Sequence, residues 1–276
     1  MSFKNPDTSK ISEKKLYIFD MDGTIYLGSR VFDFAISFIN NLRKSGRRVL
    51  FFTNNASNAL PFYLEKLTRL GFSPTPDEIM TSGDVTKVFL RRHRKDKSVY
   101  LLGTDALVED FRKDGIRLVD SSAESADIVI TSFDTSLTYE KLNAACRLIR
   151  GGAEYLSTHP DFNCPTENGF IPDSGAIAAA VTASTGKTPT YFGKPYVETL
   201  DMICEATGVQ KQDMCIFGDR LYTDIALGAK NGVTSILVLT GEATAEDLDS
   251  TPADSLPTYV FDSLDSVNTL MFGDKK

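Results

Sequence analysis

The chain has 276 residues, 42% hydrophobic and 24% charged, with a formal net charge of −7. That length suits one large domain or two smaller ones, and the acidic balance argues against non-specific nucleic-acid binding, which needs excess Lys and Arg facing phosphates. No apolar run approaches the roughly 18 residues of a membrane span, and four cysteines without a CxxC pair, beside two histidines, argue against zinc.

The chain opens polar, with no apolar signal core before Leu16. A soluble protein of the reducing cytoplasm is expected. Short apolar runs then follow in order: Leu16–Phe19, Val49–Phe52, Val99–Leu102, Ile128–Thr131, Cys215–Phe217 and Ser235–Leu239. Each is bounded by Gly, Asp, Asn or Thr, and each reads as a strand buried on both faces of a parallel sheet. Helical patterns lie between them. Phe34, Phe38, Ile39 and Leu42 share one face, as do Phe62, Leu64, Leu67 and Leu70. Leu107, Phe111 and Ile116 sit around a break at Gly115, and Leu142, Ala145, Cys146 and Ile149 run to Gly151. Pro195 stands where a first helical turn would begin, ahead of a pattern ending near Gly208. The basic run from Arg91 to Lys97 reads as a solvated helix end. Alternating strands and helices predict an α/β fold with mainly parallel strands. Pro-containing stretches at Ser73–Pro76 and Lys187–Pro189 are candidate linkers around an inserted domain of about a hundred residues.

Four strand ends carry chemistry. Phe19-Asp20-Met21-Asp22-Gly23-Thr24 places two carboxylates where a strand ends, the edge at which open α/β sheets bind ligands. Carboxylates there can hold a hard cation or act as a nucleophile. An EF-hand would need Gly and Glu at the sixth and twelfth loop positions, but Ile25 and Val31 stand there. Thr53-Asn54-Asn55 follows the next strand and could bind phosphate oxygens. Gly193-Lys194-Pro195 offers a cation near a helix start. Gly218-Asp219 and Asp224 supply two more acids after another strand. Taken singly, each stretch also reads as a turn or a helix cap. Together they supply the acids, hydroxyl and lysine that phosphoryl transfer with a divalent metal requires.

In order and spacing these motifs resemble the haloacid dehalogenase (HAD) superfamily of phosphatases, in particular its 4-nitrophenylphosphatase and NagD-like branch. The match runs through Asp20-Met21-Asp22-Gly23-Thr24, Thr53, Lys194, and Gly218-Asp219 with Asp224. It extends to Thr158-His159-Pro160-Asp161 and to Pro172-Asp173-Ser174-Gly175-Ala176. The resemblance implies a Rossmann-like HAD core at 1–81 and 189–276, with an α/β cap of the C2 type at 82–188. It implies hydrolysis of small-molecule phosphate monoesters, such as 4-nitrophenyl phosphate or a sugar phosphate, through an aspartyl-phosphate. Asp20 is then the nucleophile and Asp22 the general acid and base. Mg²⁺ is held by the Asp20 carboxylate, the Asp22 carbonyl and Asp219, with Asp224 orienting groups from outside the ligand set. Thr53, Asn54, Asn55, Gly23 and Lys194 contact or balance the phosphoryl group. A cap loop around Asp161-Phe162-Asn163-Cys164 then lies over the site, and position in that loop points to Asn163 or Cys164 as facing the leaving group; His159 reads most simply as a structural cap residue, with substrate contact the other reading. A phosphotransferase or mutase, and a non-catalytic HAD-like binding protein, share the fold and stay open. Caps of this type can join subunits, so a homo-oligomer also stays open, although no stretch carries an interface signature.

Decoys fall away on spacing. Gly186-Lys187-Thr188 imitates the end of a P-loop, but Val181 occupies the required glycine position. No G-x-G-x-x-G, H-E-x-x-H or G-x-S-x-G sequence occurs.

Overall fold

A computed structural model describes residues 9–166 and 169–273. The chain divides into two compact units. The first comprises Met1–Phe52, Leu64–Met80 and Ile203–Lys276, and the second Thr53–Tyr63 and Thr81–Met202.

The first unit is organised on a six-stranded sheet. Its order is Tyr259–Phe261, Thr234–Val238, Met214–Gly218, Leu16–Phe19, Arg48–Thr53 and Ile79–Thr81. Leu16–Phe19 runs parallel to both its neighbours, and the strands beyond Met214–Gly218 continue the parallel pattern. Every residue of Leu16–Phe19, Met214–Gly218 and Thr234–Val238 is buried. That is why these runs show no polar alternation: layers cover both faces of the sheet. The helix Asp33–Lys44 buries Ala35, Phe38, Ile39 and Leu42, one stripe at helical spacing. Phe38 meets Phe19 and Phe217 edge-on at 5.9 and 5.7 Å, while Phe19 and Phe217 stack at 4.8 Å. This aromatic trio underlies the two strand ends that carry Asp20 and Asp219.

The second unit holds a five-stranded sheet in the order Thr190–Tyr191, Glu154–Ser157, Ile128–Thr131, Val99–Leu102, Leu118–Val119. All its pairs are parallel. Its helices are begun by side-chain caps. The Thr81 hydroxyl accepts from Asp84 N while the Asp84 carboxylate accepts from Thr81 N, a complete capping box. Thr104 and Thr138 cap Asp105–Lys113 and Tyr139–Arg150. Asn163–Thr166 and Gly169–Pro172 form an antiparallel hairpin. Residues 53–63 and the strand Thr190–Tyr191 belong with this unit, outside the expected 82–188 insertion.

Several local expectations shift. The helix Leu60–Arg69 buries Tyr63 and Leu67 and leaves Phe62 47% exposed, because the Tyr63 hydroxyl donates to Asn55 O. Pro195 is not in a first helical turn. Tyr196 N closes a tight turn onto Gly193 O at 3.0 Å, and the helix begins afterwards, at Val197. Glu154–Ser157, Ile79–Thr81 and Tyr259–Phe261 were not expected as strands; each has only three or four residues and no long apolar run. Among the described residues no helix is long and apolar enough to cross a membrane.

Phe38→Ala should destabilise the first unit by about 3–5 kcal/mol, as a fully buried aromatic leaves a cavity. Phe34→Ala, on the half-buried edge of the same helix, should cost much less. Urea unfolding followed by a probe in the first unit measures both.

Candidate active site

Because Leu16–Phe19 and Met214–Gly218 are parallel neighbours with Phe19 opposite Phe217, the acids that follow them emerge side by side. Asp20 N donates to Phe217 O at 2.9 Å, fixing the first of them. Asp224 returns from the helical turn Leu221–Ile225. Asp20, Asp219 and Asp224 each offer a carboxylate oxygen, and these oxygens lie within 4.8 Å of one another. All three residues are buried, Asp219 and Asp224 almost completely.

Three glycines make room for the trio. A Cβ on Gly23 would fall 2.2 Å from Asp219 Oδ2, and one on Gly241 2.0 Å from the same atom. A Cβ on Gly218 would fall 2.1 Å from the Asp224 Cβ. Gly23 also adopts φ +86°, which a side chain would strain. Thr240 Oγ1 donates to Gly23 O at 2.7 Å, so the 240–243 loop and the turn after Asp20 are tied together. Glu242 N donates to Asp219 Oδ2 at 2.8 Å.

The electrostatics are unresolved by protein groups alone. Burial, then the nearby Asp20 and Asp224, push the Asp219 carboxyl up to about 7. The Glu242 N–H and the Arg220 cation oppose that shift only in part. Burial works against the charge on Arg220, but Asp20, Asp219 and Asp224 more than offset it and hold the guanidinium above its usual range. Arg220 also pairs with Glu242 at 3.0 Å. Asp219 Oδ1 is buried with no hydrogen-bond partner among the described residues. Crowded oxygen donors, excess negative charge and an orphaned carboxylate oxygen fit a hard divalent cation.

The carboxylate of Asp22 stands outside the trio, half-buried in the turn, where its residue bridges to Tyr26. Gly23, expected at the phosphate, has its N–H engaged by Tyr26 O at 2.7 Å. Having no side chain, Gly23 also leaves the space that Asp219 occupies.

The other expected residues lie in the second unit. Thr53 ends its strand, and its Oγ1 accepts from Asn55 N at 3.2 Å. Asn55 Oδ1 accepts from both the N–H and the hydroxyl of Ser57. Tyr63, kept protonated chiefly by burial, donates to Asn55 O at 2.8 Å. Asn54, expected as a phosphate donor, uses its side chain otherwise. Its Oδ1 accepts from Lys194 N at 2.8 Å, and its Nδ2 donates to Lys194 O at 2.9 Å and Asp161 Oδ2 at 3.1 Å. Both amide hydrogens are thereby taken, and Asn54 becomes a clamp on the buried Lys194. Asn163 and Cys164 stand on the hairpin strand Asn163–Thr166, Asn163 exposed and Cys164 half-buried.

Known proteins resemble this chain over most of its length. Residues 17–117 match a family described as haloacid dehalogenase-like hydrolase, and residues 191–267 match a second described as HAD-hydrolase-like. The chain is 36% identical over 250 residues to the acid sugar phosphatase of Staphylococcus haemolyticus, covering 91% of this chain and 94% of that one. The chain belongs to the haloacid dehalogenase-like hydrolase family. The 5'-nucleotidase YutF of Bacillus subtilis is 32% identical over 250 residues, 91% of this chain and 96% of its own. The solved 4-nitrophenylphosphatase of Thermotoga maritima superposes with a TM-score of 0.87 at 41% identity, covering 95% of this chain and 99% of that one. The chain is thus a NagD-like HAD phosphatase, with the parallel α/β architecture of those neighbours.

Sequence reasoning missed Gly241 and Glu242, which frame Asp219. A Gly-Glu pair just past the strand Thr234–Val238 was the available signal, since open α/β sheets bind ligands beyond the carboxyl ends of their strands.

The raised Asp219 gives a stability test. Its usual value is 3.8 and its folded value about 7, so between these the folded, metal-free chain binds the extra proton. The associated stability is complete below the lower value and is lost as the pH rises through the upper one. Asp219→Asn should therefore melt above the wild type in EDTA at about pH 8, and the difference should close on acidification toward about pH 4. Thermal melting across that range checks it.

Proposed function

We propose that this phosphatase hydrolyses small-molecule phosphate monoesters with Mg²⁺, through an aspartyl-phosphate on Asp20. The trio of buried carboxylates carries the reading, above all the orphaned Asp219 oxygen beside Asp20 and Asp224. Relatives named for sugar phosphates and for 5'-nucleotides support a phosphorylated metabolite as substrate.

In the first step the Asp20 carboxylate attacks phosphorus, and the bond to the leaving oxygen breaks. Asp22, half-buried two residues on, gives its proton to that oxygen. In the second step Asp22 takes a proton from water, whose oxygen attacks the same phosphorus. Inorganic phosphate departs and Asp20 is restored as a carboxylate. Asp20, Asp219 and the Asp22 carbonyl would hold Mg²⁺, with Asp224 close enough to join or orient the set. When bound, the ion neutralises charge that builds on the phosphoryl oxygens. Lys194 has the charge-balancing role and Thr53 the hydroxyl contact, with Asn54 holding the lysine. We assign the hydrolytic acids to the first unit and selection of the leaving group to the second, through Asn163 and Cys164.

Phosphate release from a panel of esters tests the chemistry. Activity should require Mg²⁺, vanish in EDTA and fall by at least about 10³-fold in Asp20→Asn, since the covalent route is then closed. Turnover persisting in either condition would reject the mechanism. Separately, Asn163→Ala should reorder the esters by relative kcat/KM while leaving the metal requirement intact. An unchanged ranking would remove Asn163 from specificity.

A further inference from the structure

His159 is completely buried in the second unit, yet it lies in a polar network rather than an apolar pocket. Its Nε2 is 2.8 Å from Asp173 Oδ1. Its Nδ1 is 3.2 Å from Ser82 Oγ and 3.0 Å from Thr158 Oγ1. Ser82, in the first turn of Ser82–His93, donates its hydroxyl proton to Asn54 O. Asn54 in turn grips Lys194 through both its N–H and its carbonyl. A continuous chain of hydrogen bonds therefore runs from the Asp173 carboxylate through His159, Ser82 and Asn54 to the main chain of Lys194.

Steric fit reinforces that chain. A Cβ on Gly193 would meet Asn54 Oδ1 and the His159 Cβ, each at 2.8 Å, so the turn holding Lys194 lies directly against the network. Asp161 faces the same groups: its carboxylate lies within 4.8 Å of the His159 and Asp173 ligand atoms and accepts from Asn54 Nδ2.

A Ser-His-Asp grouping invites a hydrolytic reading, but Ser82 and His159 are fully buried and Asp173 nearly so. No substrate reaches Ser82, and its proton already serves Asn54 O. A purely structural core would also be served more cheaply by apolar side chains, because each buried polar group must recover its lost hydration. Complete polar networks repay that cost by admitting one geometry. Here the geometry they fix is that of the loop 53–55 and of Lys194.

We propose that His159 is a positioning residue for Lys194, acting through Ser82 and Asn54. The proposal rests on the reading of Lys194 as the charge-balancing residue. A sub-ångström drift of that ammonium weakens stabilisation of the transferring phosphoryl group, and misplacements of about 1 Å can cost about 10²-fold.

The test is a double-mutant cycle in the full chain, with Mg²⁺ and 4-nitrophenyl phosphate. His159→Gln and Ser82→Ala should each lower kcat/KM by about 10- to 100-fold. In an Asn54→Ala background the same changes should add less than about twofold, because the path to Lys194 is already cut. Full additivity in that background, or wild-type activity in both single variants, would overturn the proposal. Melting midpoints separate a merely structural role, which would couple the residues in stability while leaving turnover per folded molecule unchanged; that result would also overturn it. Ser82→Ala removes a single hydroxyl and carries the test if His159→Gln fails to fold. Lys194→Met separates the premise from the relay. If that variant retains activity, the charge-balancing role fails and the proposal with it. If Lys194→Met is inactive while His159→Gln and Ser82→Ala are fully active, the relay alone fails.

Discussion

Three carboxylates within 4.8 Å of each other, all buried, repel one another, and the first unit is built around holding them there. Two unit charges at about 4–5 Å cost roughly 3–4 kcal/mol at an effective dielectric near 20. The sheet answers by rigidity. Asp20 and Asp219 leave adjacent parallel strands whose last aromatics stack at 4.8 Å, so neither main chain can retreat without disturbing the core. Gly23, Gly218 and Gly241 bring backbone so close that no other residue fits. Arg220 supplies one countercharge and the Glu242 N–H one hydrogen bond, and a buried oxygen of Asp219 is still left over. Such a site stores a preference for a cation instead of satisfying itself.

The second unit solves a different problem by the opposite means. Around Asn54 and Lys194, polar atoms find protein partners: amide to main chain, hydroxyl to carbonyl, imidazole to carboxylate. Where one oxygen of Asp219 is left without a hydrogen-bond partner among the described residues, the Asn54 side chain has both its amide groups paired. Pairing on every side gives a fixed shape, and a buried oxygen without a partner favours a cation.

Much of this was legible in the chain. Strands buried on both faces read as short apolar runs, and Asp20, Asp22, Thr53, Lys194 and Asp219 were picked out by their places at strand ends or beside a helix start. The helix Asp33–Lys44 was visible in its stripe because only a 3.6-residue period brings Phe38, Ile39 and Leu42 together. What stayed hidden depends on contacts between residues distant in sequence. Asn54 looks like any turn asparagine until Lys194, far along the chain, takes both ends of its amide. Tyr63 displaces Phe62 from the core because its hydroxyl reaches Asn55 O, which periodicity cannot show. His159 has no helical or strand pattern to announce it, and its partners Ser82 and Asp173 come from two other segments.

The pairing of Leu16–Phe19 with Met214–Gly218 also orders events during synthesis. Translation delivers the second unit whole once Met202 has emerged, whereas the first unit still lacks the strands that flank its central one on that side. On the ribosome Asp20 waits, its neighbouring strand position empty, while the intervening residues can fold as a unit. A nascent or truncated chain therefore has one lone strand-end acid and no trio. The trio can assemble only once Asp219 and Asp224, which lie far along the chain from Asp20, have been made.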